Sequence, residues 1–377
     1  MRIAYLSSFY PYRGGIPQFN ASVLNELGRQ GHTVKAFNFK RQYPDFLFPG
    51  KTQYVSDSDS AVPVESVSLL DTANPFTYLP TARAIAAWKP DLLVMKYWMS
   101  YFAPSLGYIS RRLKKKGCKV VSILDNVIPH EPHFFDRPFT RYFLSGQSGC
   151  VAMCDEVAGD LRDIRDDIPF TILPHPLYSH FGQKMEREEA EHALGLESGK
   201  KNLLFFGLIR HYKGLDILLE AFRQLGDDYQ LIVAGEPYGS FAPYQEIIDS
   251  LPGKDRIKLV TGYIPDSEVR NYFSAADVTV LPYRSATQSG ISSISYHFEV
   301  PMIVTAVGGL TETVGGRGTG LVAPDATPDC ILQEIRRYFG DPQVRETCIR
   351  NIRREKERLS WSTFCNGLVE FAQSLCV

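Results

Sequence analysis

Short apolar runs alternate with amphipathic helix patterns along nearly the whole of this chain, and that alternation constrains its fold more than any other feature. Strands joined through helices lie parallel, with helices packed on both faces of the sheet. "RIAYLSS" reads as a strand, and "PQFNASVLNELGRQG" as the helix after it, stopped at Gly31. "HTVKAFNF", "DLLVMKYW", "KVVSILDN" and "CVAM" follow as strands, with helices through "SLGYISRRLKKKG" and "DEVAGDLRDIR". A second set opens at "NLLFFG" and its helix "LDILLEAFRQL", then runs through "YQLIVAGE", "IKLVTGY", "VTVLPY" and "PMIVTAV". Residues 40–75, rich in aromatics, Pro and Ser, read as irregular, and a loop of that length is functional or mobile.

At 377 residues the chain is too long for one ordinary core. The Pro-rich "FTILPHPLYSHFG" separates the two sets, and Pro174-His175-Pro176 suits a stiff hinge. The pattern predicts two doubly wound α/β domains joined there. A hydrophobic content of 44% and a charged content of 22% are those of a globular protein. A net charge of −1 leaves no electrostatic footprint for nucleic acid. The seven cysteines are scattered, and Cys150 and Cys154 have no second pair nearby to complete a zinc site, so reduced thiols and no metal are expected. No apolar run approaches the roughly 20 residues that cross a bilayer, and a cytoplasmic protein is expected.

Three stretches share one character: a strand ends, a polar or glycine-rich turn follows, and a helix begins. Ligands of open α/β sheets bind outside the carboxyl ends of the strands, where helix N-termini present free N–H groups to anions. In "SSFYPYRGGIPQF", Gly14 and Gly15 let a ligand approach the backbone, or simply serve a turn of positive φ. In "FFGLIRHYKGLDILLEAF", Arg210 and Lys213 offer a fork donor and a point charge that suit a diphosphate, or form a solvated basic loop. In "YRSATQSGISSISYHFEVP", a helix start at Ser289 and Gly290 carries Gln288 and several hydroxyls, with no acid before Glu299. Plain N-capping would explain the serine. An anion held between two domains explains all three stretches together.

In order, "FFGLIRHYKGLDILLEAF", "LIVAGE", "VTGYIPDSEVRNYFSAADVTVLPY", "VPMIVTAVGGLTETV" and "GLVAPD" resemble the second domain of family 4 glycosyltransferases. "RGGIPQFN" is similar to the glycine-rich loop of their first domain, and "SWSTFCNGLVEF" to their closing helix. The resemblance implies the GT-B fold, two Rossmann-like doubly wound domains facing across a cleft. Its domains would be 1–172 on the acceptor side, 173–355 for the nucleotide-sugar donor, and a helix at 356–377 returning to the first. It further implies a retaining, metal-independent hexosyltransferase with no cofactor beyond the nucleotide-sugar co-substrate. Arg210 and Lys213 match the diphosphate pair, Gly15 the loop glycine by the phosphates, and Gly262 to Ile264, with Tyr263, the segment meeting the nucleobase.

The match has departures. The usual acidic pair falls at Ala286 and Ile294, so both acids are missing, and Leu208 stands where an arginine is usual. A first-domain histidine often ends a strand in this family; in "SILDNVIPHE" Asp125 is nearest, with His130 beyond it. His130 is expected either to touch the donor sugar or carry a proton, or to be a structural histidine. A mostly bacterial subgroup pairs "DNVIPHE" with "ATQSG" in this way. The expected acceptor is a glycan or a lipid-linked sugar. Five basic residues within Arg111–Lys116 are consistent with contact at the inner face of a membrane, or with a solvated helix end. Two other readings are a nucleotide-sugar-binding protein without turnover and a nucleotide-sugar epimerase, the latter disfavoured by the acid-free stretch.

Overall fold

The computed structural model describes residues 1–44, 53–55, 62–128, 133–177, 181–286 and 289–375. His130 and Gln288 lie outside these described residues. The chain divides into two compact units, Met1–Pro176 with Leu359–Val377, and Leu177–Arg358.

Seven parallel strands form the sheet of the first unit: β1 (Arg2–Ser7), β2 (Thr33–Arg41), β3 (Ser66–Asp71), β4 (Leu92–Tyr97), β5 (Lys119–Leu124), β6 (Gly149–Ala152) and β7 (Phe170–Ile172). Their order is β3-β2-β1-β4-β5-β6-β7, so the chain works outward from β1 in one direction and from β4 in the other. Tyr5 of β1 stands opposite Ala36 of β2 and Val94 of β4. The helices are α1 (Gly15–Arg29), α2 (Tyr78–Ala87), α3 (Ala103–Lys114), α4 (Asp136–Leu144) and α5 (Asp155–Ile164). Ala82, Ile85, Leu106, Ile109, Val157 and Leu161 from α2, α3 and α5 fill one face of the sheet.

The other face is closed by α1 and by the last helix of the chain. Phe19, Val23 and Leu27 of α1 pack with Phe364, Cys365 and Leu368. Each such buried apolar side chain contributes about 1.5–3 kcal/mol. Ser360 begins that last helix by accepting a hydrogen bond from the Thr363 N–H at 3.1 Å.

In the second unit the strands are β8 (Lys201–Phe206), β9 (Tyr229–Ala234), β10 (Ile257–Val260), β11 (Val278–Leu281), β12 (Met302–Thr305) and β13 (Gly320–Ala323), ordered β10-β9-β8-β11-β12-β13 and all parallel. Its helices are α6 (Arg187–Leu194), α7 (Leu215–Phe222), α8 (Ala242–Ser250), α9 (Asp266–Ala275), α10 (Gly290–His297), α11 (Pro328–Gly340) and α12 (Pro342–Arg358); the returning helix of the first unit is α13 (Trp361–Ser374). Leu215, Leu218, Phe222, Ile331 and Ile335 cover one face of this sheet. Ala190, Leu194, Val269 and Phe273 cover the other.

The expectation of an irregular stretch over 40–75 is corrected by β3, which pairs in parallel with β2 through register shifts at Asn38 and Phe39. It is an edge strand whose Val67 is 38% exposed, so it lacks the apolar run that marks a buried parallel strand. β7, three residues long and half-exposed, hides for the same reason in the Pro-rich stretch.

Candidate functional site

In a doubly wound sheet the ligand crevice lies where the strand order reverses, outside the carboxyl ends of the two strands that part company. In the second unit that point falls between β8 and β11. The loop after β8 contains Arg210, then a short 3₁₀ turn, His211–Lys213. The loop after β11 carries "YRSATQSG" into α10. Two of the stretches singled out in the sequence therefore meet at one switch point.

The 3₁₀ turn is pinned by Gly214, which has φ +69° and begins α7. A Cβ there would fall 2.0 Å from the Pro282 carbonyl oxygen, so no other residue lets the turn lie against the end of β11. Arg284 completes the tie. Its guanidinium donates to Asp216 Oδ1 at 2.9 Å and Oδ2 at 2.6 Å, and to the His211 carbonyl at 2.9 Å. Its backbone N–H donates to the Tyr212 carbonyl at 2.7 Å. Burial alone would raise the Asp216 carboxyl, but the hydrogen bonds and charge of Arg284 outweigh it and hold the group below its ordinary range.

Between these loops lies a pocket of about 520 Å³, lined by Tyr212, Lys213, Tyr283, Ser285, Ala286, Ser289, Gly290 and Ile291. No acid lines it. Lys213 Nζ lies 5.6 Å from the Tyr283 ring centroid, within cation–π reach. Burial lowers the Lys213 amine and the Arg210 charge lowers it further, so the two cations sit close enough to repel. Arg210 stacks on Tyr238 at 4.1 Å, and its buried Nε has no hydrogen-bond partner among the described residues. An unpartnered donor in such a place is a cost that an arriving acceptor would remove. Burial pushes the Tyr283 phenol up to about 12, and its hydroxyl lies 3.3 Å from Ser289 Oγ. Ser289 precedes α10 without capping it, which leaves the first amides of the helix free of side-chain acceptors.

Of the residues read from the sequence, Lys213, Ser289 and Gly290 thus line one pocket, with Arg210 beside it. Ala286, where an acid is usual in the family, is part of the lining. Ile294, the other such position, packs instead with the apolar cluster around Phe206 and Phe298. Tyr263 is 74% exposed beyond the end of β10, and Ile264 packs against that same cluster; neither lines the pocket. Asp216, Tyr212, Tyr283 and Arg284 were not read from the sequence. A pair 68 positions apart leaves no local signal, although an arginine three residues past a buried strand was a hint.

Gly14 and Gly15 belong to the first unit. Gly14 has φ +106°, and a Cβ added there would meet nothing within 4 Å, so the backbone at the start of α1 is open to approach. The turn is anchored from below: Tyr5 donates to Asn20 Oδ1 at 2.6 Å, and Asn20 donates to Ser7 Oγ and the Ser8 carbonyl at 2.9 and 2.8 Å.

Residues 186–355 match the family of glycosyl transferases group 1. The pocket with Lys213, Ser289 and Gly290 lies wholly inside this matched segment. The chain is 27% identical over 387 residues to the D-inositol 3-phosphate glycosyltransferase of Saccharomonospora viridis, covering 95% of this chain and 88% of that one. It is 29% identical over 166 residues to the lipopolysaccharide core biosynthesis mannosyltransferase LpsB of Rhizobium meliloti, covering 41% and 46%. Against several other curated relatives the match spans only about half of their length. The structure of HepE from Anabaena in complex with UDP superposes with a TM-score of 0.63 over 100% of both chains at 14% identity. That likeness gives the fold, GT-B: two parallel Rossmann-like sheets of seven and six strands.

Proposed function

We propose that the chain is a retaining glycosyltransferase, transferring a hexose from a nucleoside-diphosphate sugar bound in the pocket of the second unit to a glycan or lipid-linked acceptor. The carrying observation is that Arg210 and Lys213, cations without a carboxylate partner among the described residues, stand beside an acid-free pocket at a helix N-terminus. That is the charge arrangement a diphosphate needs. HepE, with the same fold, has been solved with UDP and with UDP-glucose, which supports a nucleoside diphosphate here.

In the reaction the bond between the anomeric carbon and the phosphate oxygen breaks, and negative charge grows on the departing β-phosphate. Arg210, Lys213 and the amides at the start of α10 stabilise that charge, supplying by protein cations what other transferases take from a metal. The acceptor oxygen bonds the same face of the anomeric carbon, and its proton passes to a phosphate oxygen. Ser289 and Gly290 hold the donor with their hydroxyl and backbone in place of the missing acid at Ile294, with Gln288 assigned beside them and Tyr263 and Ile264 toward the base. His130 and the Gly14–Gly15 turn are assigned to the sugar side. The missing acids and the stretches "DNVIPHE" and "ATQSG" support assigning the chain to the bacterial subgroup that it resembles.

The acceptor reading includes a membrane surface on the cytoplasmic side. Among the described residues no helix is long and apolar enough to cross a membrane. Arg111 is occupied by the Tyr142 ring and carbonyl, and Lys114 by the Gln147 carbonyl. Arg112 and Lys116 instead flank, with Arg83, a recess of about 210 Å³ floored by Leu79 and Ala82, which suits an anionic lipid head group.

A panel of UDP-, GDP- and ADP-sugars followed by thermal shift tests the reading. A donor at 100 times its Kd adds about 2.7 kcal/mol of stability. One nucleotide class should raise the Tm of the intact chain and not that of the Arg210→Ala/Lys213→Ala variant. No shift with any of them would sink the proposal; a shift without nucleotide release, on incubation with a range of glycan acceptors, would favour a binding protein without turnover.

A further inference from the structure

The first unit has a switch point of its own, between β1 and β4, and a charged pair is buried there. Lys96 is the penultimate residue of β4, with a side chain 2% exposed. Its Nζ lies 2.7 Å from Oδ1 of Asp125, the residue directly after β5. Phe19 of α1 covers the ammonium at 3.5 Å from the ring centroid, and packs in turn with Ile3, Val94 and Ile123. Despite the short separation the ammonium makes no aligned hydrogen bond among the described residues. Charge and an aromatic face hold it, and burial lowers the amine against the opposing pull of Asp125.

Packing does not require this arrangement. A methionine fills nearly the volume of a lysine, and replacing a buried ion pair by apolar side chains is often neutral or stabilising. What the pair does accomplish is to fix a carboxylate at the sheet edge. Asp125 remains 21% exposed, and its second oxygen has no hydrogen bond or ion pair among the described residues. The chemistry is the reverse of the second unit's pocket, where Arg210 and Lys213 have no carboxylate partner among the described residues. Here the cation is enclosed and the carboxylate is left to accept, which suits neutral hydroxyls and repels phosphate. Tyr5 and His175 are the other titratable groups that feel Asp125; burial raises the Tyr5 phenol and lowers the His175 imidazole.

We propose that Lys96 is a positioning residue: it holds Asp125 aimed so that Asp125 binds the hydroxyls of a saccharide at the first unit's own switch point. The choice of a saccharide rests on the transferase reading. The full chain is tested by saturation-transfer NMR with methyl α-D-glucopyranoside and methyl α-D-mannopyranoside, alongside UDP binding by calorimetry. The wild type should receive saturation contact with at least one glycoside. Lys96→Met should weaken that binding about tenfold, about 1.4 kcal/mol, and Asp125→Asn at least as much. Asp125→Asn leaves a buried ammonium unpaired; the double variant Lys96→Met/Asp125→Asn buries no charge and makes the same test if the single variant fails to fold. The double variant should be no weaker than the worse single, because the two residues act as one unit. UDP affinity should stay unchanged throughout. Equal glycoside binding by wild type and variants, or none by the wild type, overturns the inference. A wild type that binds glycoside but no UDP instead overturns the donor-site reading and leaves this one standing.

Discussion

Arg284 grips Asp216 through two parallel hydrogen bonds, at 2.9 and 2.6 Å, although one follows a strand and the other lies in the first turn of a helix 68 positions earlier. The same guanidinium holds the His211 carbonyl, so the loop carrying Lys213 and the loop leading to Ser289 share one fastening. Arg284→Ala removes it. The loss should be about 1.5–3 kcal/mol, the range for hydrogen bonds to charged groups, seen by urea denaturation near neutral pH. Asp216 has a folded-state pKa below its ordinary 3.8, so its contribution is complete above that value and disappears as pH falls through the lower folded value. The difference between wild type and variant should therefore narrow in acid. A deficit that is constant down through that range would show that the ion pair is not its source.

Lys213 should report anion binding through its proton. Burial, then Arg210, lowers its amine below the ordinary 10.5, and a bound diphosphate would raise it again. As pH rises through the lowered value the amine loses its charge and UDP affinity should fall. In alkaline buffer, binding should take up a proton, visible as a calorimetric enthalpy that changes with the ionisation enthalpy of the buffer. Lys213→Ala should abolish that uptake and weaken UDP by about 10–100-fold, or roughly 1.4–2.7 kcal/mol. Proton uptake that persists in the variant would assign it to another group.

The lack of acid in the pocket makes a prediction of its own. Ala286 lines the pocket, so Ala286→Glu places a carboxylate beside Lys213 and should weaken UDP by about tenfold or more. Ala286→Gln, of the same size, should bind nearly as wild type. Ile294→Glu would bury a carboxyl against Phe206 and Phe298 and should lower the Tm without improving UDP affinity. Tighter UDP binding by Ile294→Glu would mean that an acid at this position reaches the nucleotide, against the packing seen.

The fold was legible because buried parallel strands are written as runs: Leu92 to Tyr97 is buried throughout, and its sequence reads as a strand without any partner. β3 was not legible, because an edge strand with Val67 outward lacks that run. The site divides in the same way. Arg210, Lys213 and Ser289 were found because each sits next to a strand end or a helix start, which a sequence displays. Asp216 with Arg284, Arg210 with Tyr238, and Lys96 with Asp125 are relationships across the sheet, set by strand order. Strand order depends on which strands reverse direction of growth, and no local pattern records it.

Two glycines separate backbone geometry from space. Gly14 and Gly214 both have positive φ, at +106° and +69°. A Cβ at Gly14 meets nothing within 4 Å, whereas one at Gly214 lies 2.0 Å from the Pro282 oxygen. Gly14→Ala therefore carries only backbone strain, about 1–2 kcal/mol, and should fold with a Tm a few degrees lower and UDP affinity in the second unit intact. Gly214→Ala adds a clash with main chain that cannot rotate away. It should lose more than about 4 kcal/mol and, by displacing the turn that carries Lys213, lose UDP binding at temperatures where the chain is still folded. Calorimetric melting with and without UDP checks both. Equal losses of stability in the two variants would mean that the contact between Gly214 and the end of β11 does not hold the pocket together.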